Sequence, residues 1–181
     1  YEARLPEGAW PNWVLGNHDQ PRVASRLAAH QIRGAQLLLL TLRGTPTMYY
    51  GDELGMRNVP IGPEVVQDPF EKHEPGKGNG RDPERTPMPW DATRNGGFTT
   101  SETPWLPLGD NVQCNVESQM DDPDSLLIMV RNLLRLRAAH PALMIGSHQA
   151  LPSKEPIAAY VRHHDDEYLY ILINFADETM S

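Results

Sequence analysis

The sequence predicts an α/β fold that changes to consecutive β-strands towards its end. Short apolar runs alternate with helical patterns up to about residue 140, and three strand-like runs then follow one another. The length of 181 residues suffices for one domain with a sizeable core and argues against two full domains. We place the boundary near residues 141–145, between a first region of residues 1–142 and a second of residues 143–181.

The first predicted unit is a strand, a helix and a second strand. Trp13–Gly16 is a short apolar run that is typical of a buried strand. Apolar residues then recur every three or four positions over Ser25–Arg43, which predicts an amphipathic helix closed by Gly44. Thr47–Tyr50 predicts the second strand. The connection is long enough for the two strands to pair in parallel.

A long segment without a sustained period follows, over residues 51–121. It is dense in proline and glycine, and loops of this length are usually either functional or disordered. Large apolar side chains spaced along it argue against disorder. These are Phe70, Met88, Trp90, Phe98, Trp105 and Leu108.

The remaining elements are one helix and three strands. The next helix is predicted over Asp122–His140. The capping carboxylate of Asp122 and the following proline indicate its start, and Pro141 terminates it. Alternating or continuous apolar residues separated by turns then predict three strands. Their ranges are His148–Leu151, Ile157–Arg162 and Tyr168–Phe175.

Composition restricts the partners and the compartment. A net charge of -8 and a pI near 5.3 disfavour nucleic acid and favour a neutral or cationic small molecule. The single cysteine, Cys114, excludes an intrachain disulfide and a cysteine-based metal site, and the histidines have no metal-ligand spacing, so we expect no metal and no cofactor. No membrane span or signal peptide is evident, and the default compartment is the cytoplasm. Because the chain begins at Tyr1 and stops after a strand, we expect a piece of a longer protein.

Three polar residues end the first predicted strand: Asn17, His18 and Asp19. Parallel α/β folds place their active sites at the carboxyl ends of strands, so the position makes this triplet a functional candidate. A structural interpretation is also open, in which the asparagine lies in a loop, the aspartate caps a helix and the histidine has its hydrogen bonds satisfied.

Three motifs, taken together and in order, resemble the α-amylase family of glycoside hydrolases. They are NWVLGNHDQPR at Asn12–Arg22, GTPTMYYGDELGM at Gly44–Met56 and GRDPERTPMPWD at Gly80–Asp91. The α-glucosidase and oligo-1,6-glucosidase branch is the most similar. The resemblance implies the C-terminal part of a (β/α)8 barrel, with its last two strands and helices in residues 1–142, and the start of an antiparallel β-sandwich domain in residues 143–181.

The same resemblance implies retaining hydrolysis of terminal α-linked glucose from maltose- or isomaltose-type oligosaccharides. Asp19 matches the carboxylate that stabilises the transition state, and His18 matches the imidazole that hydrogen-bonds sugar hydroxyls beside it. Arg81 matches the arginine that reaches the terminal glucose, and Asn17 and Arg85 are further candidates for substrate binding. The family's nucleophilic aspartate and acid/base glutamate precede this chain, so we expect the chain alone to be inactive.

Two other functions stay open at this point. One is an enzyme of the same family that passes glucose to a sugar acceptor, such as a transglucosylase or a sucrose isomerase. The other is a non-catalytic transporter subunit that resembles α-glucosidases. The missing upstream strands and acceptor-side loops would separate these alternatives from hydrolysis.

Several side chains also allow a structural interpretation. Arg85 could pair on the surface with Glu84 or Asp82, and Glu53 could orient Arg22 or cap its loop. Three aromatic residues could stack on sugar or simply pack the long loop down. They are Trp90, Phe98 and Trp105.

Overall fold

The computed structural model describes residues 4–179, whose contacts divide into two units. Within the described residues, the first unit holds residues 4–15, 29–47 and 130–179, and the second holds residues 16–28 and 48–129. The helices are α1 (Val23–Arg26), α2 (Ala29–Thr41), α3 (Pro69–His73), α4 (Val116–Met120), α5 (Leu126–Ala139) and α6 (Pro141–Met144). The strands are β1 (Asn12–Val14), β2 (Thr45–Thr47), β3 (Ser147–Ala150), β4 (Ile157–His164) and β5 (Glu167–Asn174).

Parallel pairing of β1 with β2, across the intervening helix α2, confirms the predicted strand–helix–strand order. Asn12 lies opposite Thr45 and Val14 opposite Thr47. The expectation of a fully buried first strand is wrong, because Val14 is 44% exposed. Among the described residues the sheet has only these two strands, so neither strand is flanked on both sides.

The second strand begins two residues earlier and ends three residues earlier than predicted. It ends at Thr47, and Tyr50 lies beyond it in a turn. The carbonyl oxygen of Tyr50 accepts a hydrogen bond from Arg22 Nη1 at 2.7 Å, and its hydroxyl donates to the Thr86 carbonyl at 2.7 Å. These bonds take the place of a strand ladder, which explains why an aromatic run with strand propensity is not a strand.

The helix predicted over Ser25–Arg43 is interrupted. Leu27 is extended, with φ -103° and ψ 154°, and separates α1 from α2. Asn58 anchors α1, because its side chain accepts from the Arg22 amide at 2.7 Å and its own amide donates to Ser25 Oγ at 2.7 Å. Contacts between residues so distant in sequence leave no trace in helical periodicity.

Helix α5 begins three residues later than expected and has a different cap. Ser125 Oγ accepts from the Ile128 amide at 3.1 Å, whereas Asp122 closes a turn by accepting from the Asp124 amide at 2.9 Å. Leu134 lies in this helix and is 47% exposed although its side chain is apolar. Arg137 is buried instead, because it donates to backbone carbonyl groups after α2.

The three predicted C-terminal strands are confirmed as one antiparallel sheet in the order β3-β4-β5. Its inner face packs around Leu143, Tyr160, Ile171 and Ile173, against side chains of α2. Within residues 4–179, no helix is long and apolar enough to cross a membrane.

The long segment between the two sheets is ordered, as its apolar residues predict. It folds into short helices and turns around a small core of Leu54, Met56 and Leu127. Every sequence-predicted site residue lies in this second unit.

Candidate functional site

The turn after β1 presents the candidate carboxylate. Asn17 Oδ1 accepts from the Asp19 amide at 2.8 Å, which closes a turn between the two residues. Gly16 precedes this turn, and a Cβ there would lie only 2.6 Å from Asp52 Oδ2. Glycine therefore lets the strand end approach the buried Asp52, while Asn17 shapes the loop that exposes His18 and Asp19.

Asp19 lies at the centre of a cluster of cationic and imidazole groups. Its Oδ1 accepts from Arg85 Nη2 at 2.8 Å and from Arg81 Nη1 at 3.2 Å. His18 Nε2 lies 3.2 Å from the other oxygen, Oδ2. The structure thus brings four of the sequence-predicted site residues together, and the fifth, Asn17, shapes their turn.

The cluster keeps Asp19 ionised. Partial desolvation pushes the pKa of Asp19 upwards, but hydrogen bonds from Arg81 and Arg85 and the charge of His18 together hold the pKa below its ordinary value. The side chain is still 48% exposed, so a ligand can reach it. The site therefore offers a fixed, accessible anion.

Arg85 does not form the surface pair that the sequence allowed with Glu84 or Asp82. Its Nε donates to the His18 carbonyl at 2.8 Å, in addition to the bond from Nη2 to Asp19. Glu84 is buried and accepts from Asn58 Nδ2 at 3.2 Å. Arg85 therefore ties the long loop to the turn that carries the candidate carboxylate.

Arg81 is held on its other side by Asp68, a residue that sequence reasoning missed. Arg81 Nε donates to Asp68 Oδ2 at 2.7 Å and Nη2 to Asp68 Oδ1 at 3.3 Å. The Arg81 hydrogen bonds hold the pKa of Asp68 well below its usual range. The Asp-Pro dipeptide signals the cap of a short helix, but nothing in the sequence pairs Asp68 with Arg81.

Arg22 and Asp52 are buried beneath this cluster. Arg22 is fully buried and lies over the rings of Tyr49 and Tyr50, at 5.2 and 4.7 Å from their centres. Burial raises the pKa of Asp52 to about 6, and the charge of Arg22 opposes the rise. Asp52, and not Glu53 as the sequence suggested, is thus the carboxylate that is buried near Arg22.

Gly51 permits this arrangement. Its φ of +85° is in the left-handed region, and a Cβ would overlap Met56 Sδ and lie 2.9 Å from Arg22 Nη1. Any larger residue would therefore push Met56 or Arg22 aside.

We expect Asp52 to make stability depend on pH in the acidic range. Its pKa of about 6 exceeds the ordinary value of 3.8, so the folded protein holds a proton that the unfolded chain releases. The resulting stabilisation is present below about pH 4 and is lost as the pH rises to about 6, a change of about 2 kcal/mol. Urea unfolding of the full-length protein at several pH values measures it.

Two variants isolate the contribution of Asp52. Asp52→Asn should show a smaller fall in unfolding free energy between pH 4 and pH 6. The exposed Asp110 provides a control, and Asp110→Asn should keep the full fall. An unchanged pH slope in Asp52→Asn would contradict the assignment.

A cavity of about 920 Å³ adjoins the cluster in the second unit. Arg85 and Asp68 contribute to its wall, together with Glu53, and most of the wall is apolar. The aromatic residues are largely exposed there, which disfavours the interpretation that they only pack the loop down. Trp90 is 50% exposed, Phe98 49% and Trp105 67%.

No metal site is evident among residues 4–179: no three His, Cys, Asp or Glu side chains are grouped so that they could hold an ion. The expectation that no metal or cofactor takes part stays a prediction. Arg81 and Arg85 supply the cationic groups of the site.

A family model described as the catalytic domain of alpha-amylase matches residues 1–146. The chain belongs to the alpha-amylase family. Named relatives of this family member include the oligo-1,6-glucosidase of Parageobacillus thermoglucosidasius, 32% identical over 99% of the chain and 36% of the relative. Maltase A1 of Drosophila melanogaster is 36% identical over 93% of the chain and 30% of the relative.

One relative of the chain is named as a transporter subunit and not as an enzyme. The amino acid transporter heavy chain SLC3A1 of Homo sapiens is 32% identical over 97% of the chain and 25% of the relative. Named glucosidases and a named transporter subunit are therefore both similar to this chain.

Solved structures of alpha-amylase family members have the same fold. The alpha-glucosyl transfer enzyme XgtA superposes with a TM-score of 0.86 at 36% identity, over 96% of this chain and 33% of that one. A MutB mutant in complex with the substrate sucrose gives a TM-score of 0.84 at 32% identity, over 98% of this chain and 36% of that one. The predicted fold class, part of a (β/α)8 barrel with a small antiparallel sheet, is confirmed. The chain spans about a third of the length of these proteins.

Proposed function

We propose that this chain is part of a retaining α-glucosidase that removes terminal α-linked glucose from maltose- or isomaltose-type oligosaccharides. Residues 1–142, with the loop 51–121, form the C-terminal part of the catalytic barrel, and residues 143–181 begin a β domain. The end of the family match at residue 146 supports this boundary. The protein acts on a small sugar, without nucleic acid or membrane, in the cytoplasm.

The observation that carries the proposal is the position of Asp19. Its carboxylate is exposed and kept ionised by Arg81, Arg85 and His18. Glycoside cleavage passes through an oxocarbenium-like transition state, in which positive charge develops on the sugar ring. A fixed anion beside the ring binds that state more tightly than the neutral substrate, which is catalysis by differential binding.

The neighbouring residues orient the sugar and the carboxylate. In this proposal, His18 and Arg81 hydrogen-bond hydroxyl groups of a glucose unit that contacts Asp19. Arg85 holds the turn through the His18 carbonyl and keeps Asp19 in place. The nucleophilic aspartate and the acid/base glutamate come from other parts of the full-length protein, so the isolated chain has no activity.

Glucosyl transfer to a sugar acceptor is the second candidate. The apolar cavity beside Arg85 favours it, because aromatic walls bind the carbon faces of an acceptor and limit the access of water. The structural similarity to an alpha-glucosyl transfer enzyme also supports it.

The test is product analysis of the full-length protein with maltose, isomaltose and sucrose. Free glucose as the main product supports hydrolysis, whereas new disaccharides or sucrose isomers support transfer. An intact, purified protein that turns over none of the three sugars would contradict both candidates and favour the transporter role.

A further inference from the structure

The position of Arg81 depends more on Asp68 than on Asp19. Two guanidinium nitrogens of Arg81, Nε and Nη2, donate to the two oxygens of Asp68 at 2.7 and 3.3 Å. The backbone amide of Arg81 donates to Asp68 Oδ2 at 2.8 Å, whereas Asp19 receives one bond, from Nη1 at 3.2 Å. Such a two-pronged contact sets both the location and the plane of a guanidinium group.

Asp68 is itself held rigidly. Its side chain is 0% exposed, and Oδ1 accepts from the Phe70 amide at 3.0 Å at the start of α3. Asp82 Oδ2 accepts from the backbone amides of Gln67 and Asp68 at 2.6 and 2.8 Å. The carboxylate is therefore fixed by both its own bonds and those of its backbone.

Phe70 completes the support of Arg81. The guanidinium carbon lies 4.9 Å from the centre of the Phe70 ring, which is the distance of a cation–π contact. With two nitrogens bound to Asp68, Nη1 is the one that faces Asp19. A flexible arginine is thus ordered before any ligand arrives, which lowers the entropic cost of binding.

We infer that Asp68 is a positioning residue, which aligns Arg81 with Asp19 and the terminal sugar. The inference rests on the proposed glucosidase function. Asp68 acts on the sugar only through Arg81, and it separately caps α3.

The variant Asp68→Asn separates these two roles. Asparagine is as good a helix cap as aspartate, so α3 should persist. It has one oxygen and no charge, however, so Arg81 loses its two-pronged anionic partner. We expect kcat/KM of the full-length enzyme to fall about a hundredfold, the size of effect that a displaced catalytic group produces.

A double-variant cycle with Arg81→Gln tests whether Asp68 acts through Arg81. If Asp68 acts through Arg81, Asp68→Asn should lower kcat/KM little further when Arg81 is already glutamine. If Asp68 only caps the helix, the two losses should multiply, and that result would overturn the inference.

Glu71 provides the matched control. It lies on α3, the helix that Asp68 caps. Its carboxylate accepts from the backbone amides of Gly76 and Gly80 at 2.7 and 3.1 Å, and Gly80 directly precedes Arg81. Glu71→Gln changes a carboxylate to an amide without removing the partner of Arg81. We expect it to keep kcat/KM within about twofold of the parent.

A crystal structure of the Asp68→Asn full-length protein shows the position of Arg81 independently of turnover. We expect Arg81 Nη1 to leave hydrogen-bonding distance of Asp19, with α3 intact. If the parent enzyme proves inactive on sugars but Arg81 moves in the variant, the proposed function fails and the positioning role stands. An unmoved Arg81 would overturn the positioning role, whatever the activity.

Discussion

Asp19→Asn should abolish most turnover of the full-length enzyme while leaving its fold intact. Asparagine has the shape of aspartate but no charge, so the developing cation on the sugar ring loses its fixed counter-charge. We expect kcat/KM to fall about a thousandfold or more, equivalent to about 4 kcal/mol of transition-state stabilisation. Steady-state kinetics on maltose and isomaltose measure the effect.

Charge removal also leaves two arginines facing a neutral group at Oδ1. A modest change in the apparent affinity for glucose is therefore expected beside the loss of kcat. The exposed Asp121 serves as the control, since Asp121→Asn makes the same chemical change outside the cluster. Near-normal turnover by Asp19→Asn, with Asp121→Asn also active, would contradict the assignment of Asp19 as the carboxylate that stabilises the transition state.

Arg162→Met should strongly destabilise the first unit. Arg162 lies in β4 with none of its surface exposed, and it donates to the carbonyls of Ser147, Thr41 and Gly146 at 3.1, 2.6 and 3.0 Å. Methionine fills much of the volume but donates nothing, so three carbonyl groups lose a charged donor. We expect the unfolding free energy to fall by about 3 kcal/mol.

Urea unfolding of the full-length protein, followed by circular dichroism, measures this loss. Arg135→Met is the matched control, because Arg135 is exposed on α5 and its replacement should change stability by less than about 0.5 kcal/mol. Equal stabilities for the two variants would show that the buried hydrogen bonds of Arg162 contribute little.

The sequence alone predicted the main elements because their signals are local. Apolar spacing located α2, α5 and the three C-terminal strands, and the order of elements predicted the parallel pair. Their ends were predicted less well. Ser125, and not Asp122, caps α5, and the second strand ends at Thr47 because Tyr50 binds Arg22 and Thr86.

The residues of the candidate site were likewise predicted only where their signal is local. His18, Asp19, Arg81 and Arg85 lie in short motifs whose resemblance to the family could be read directly, and the structure groups them. Asp68 lies outside those motifs. No local pattern marks Asp52 as a buried residue.

The sequence by itself determined the fold class, the family and the residues of the motifs, because periodicity and motif identity are properties of neighbouring residues. Only the tertiary structure decided that Asp68 holds Arg81, that Arg85 binds the turn of Asp19, and that Asp52 is buried beneath Gly16. Each of these is a contact across many residues of chain. Which donor reaches which acceptor across a folded loop is set by the packing of the loop as a whole, and no local pattern encodes it.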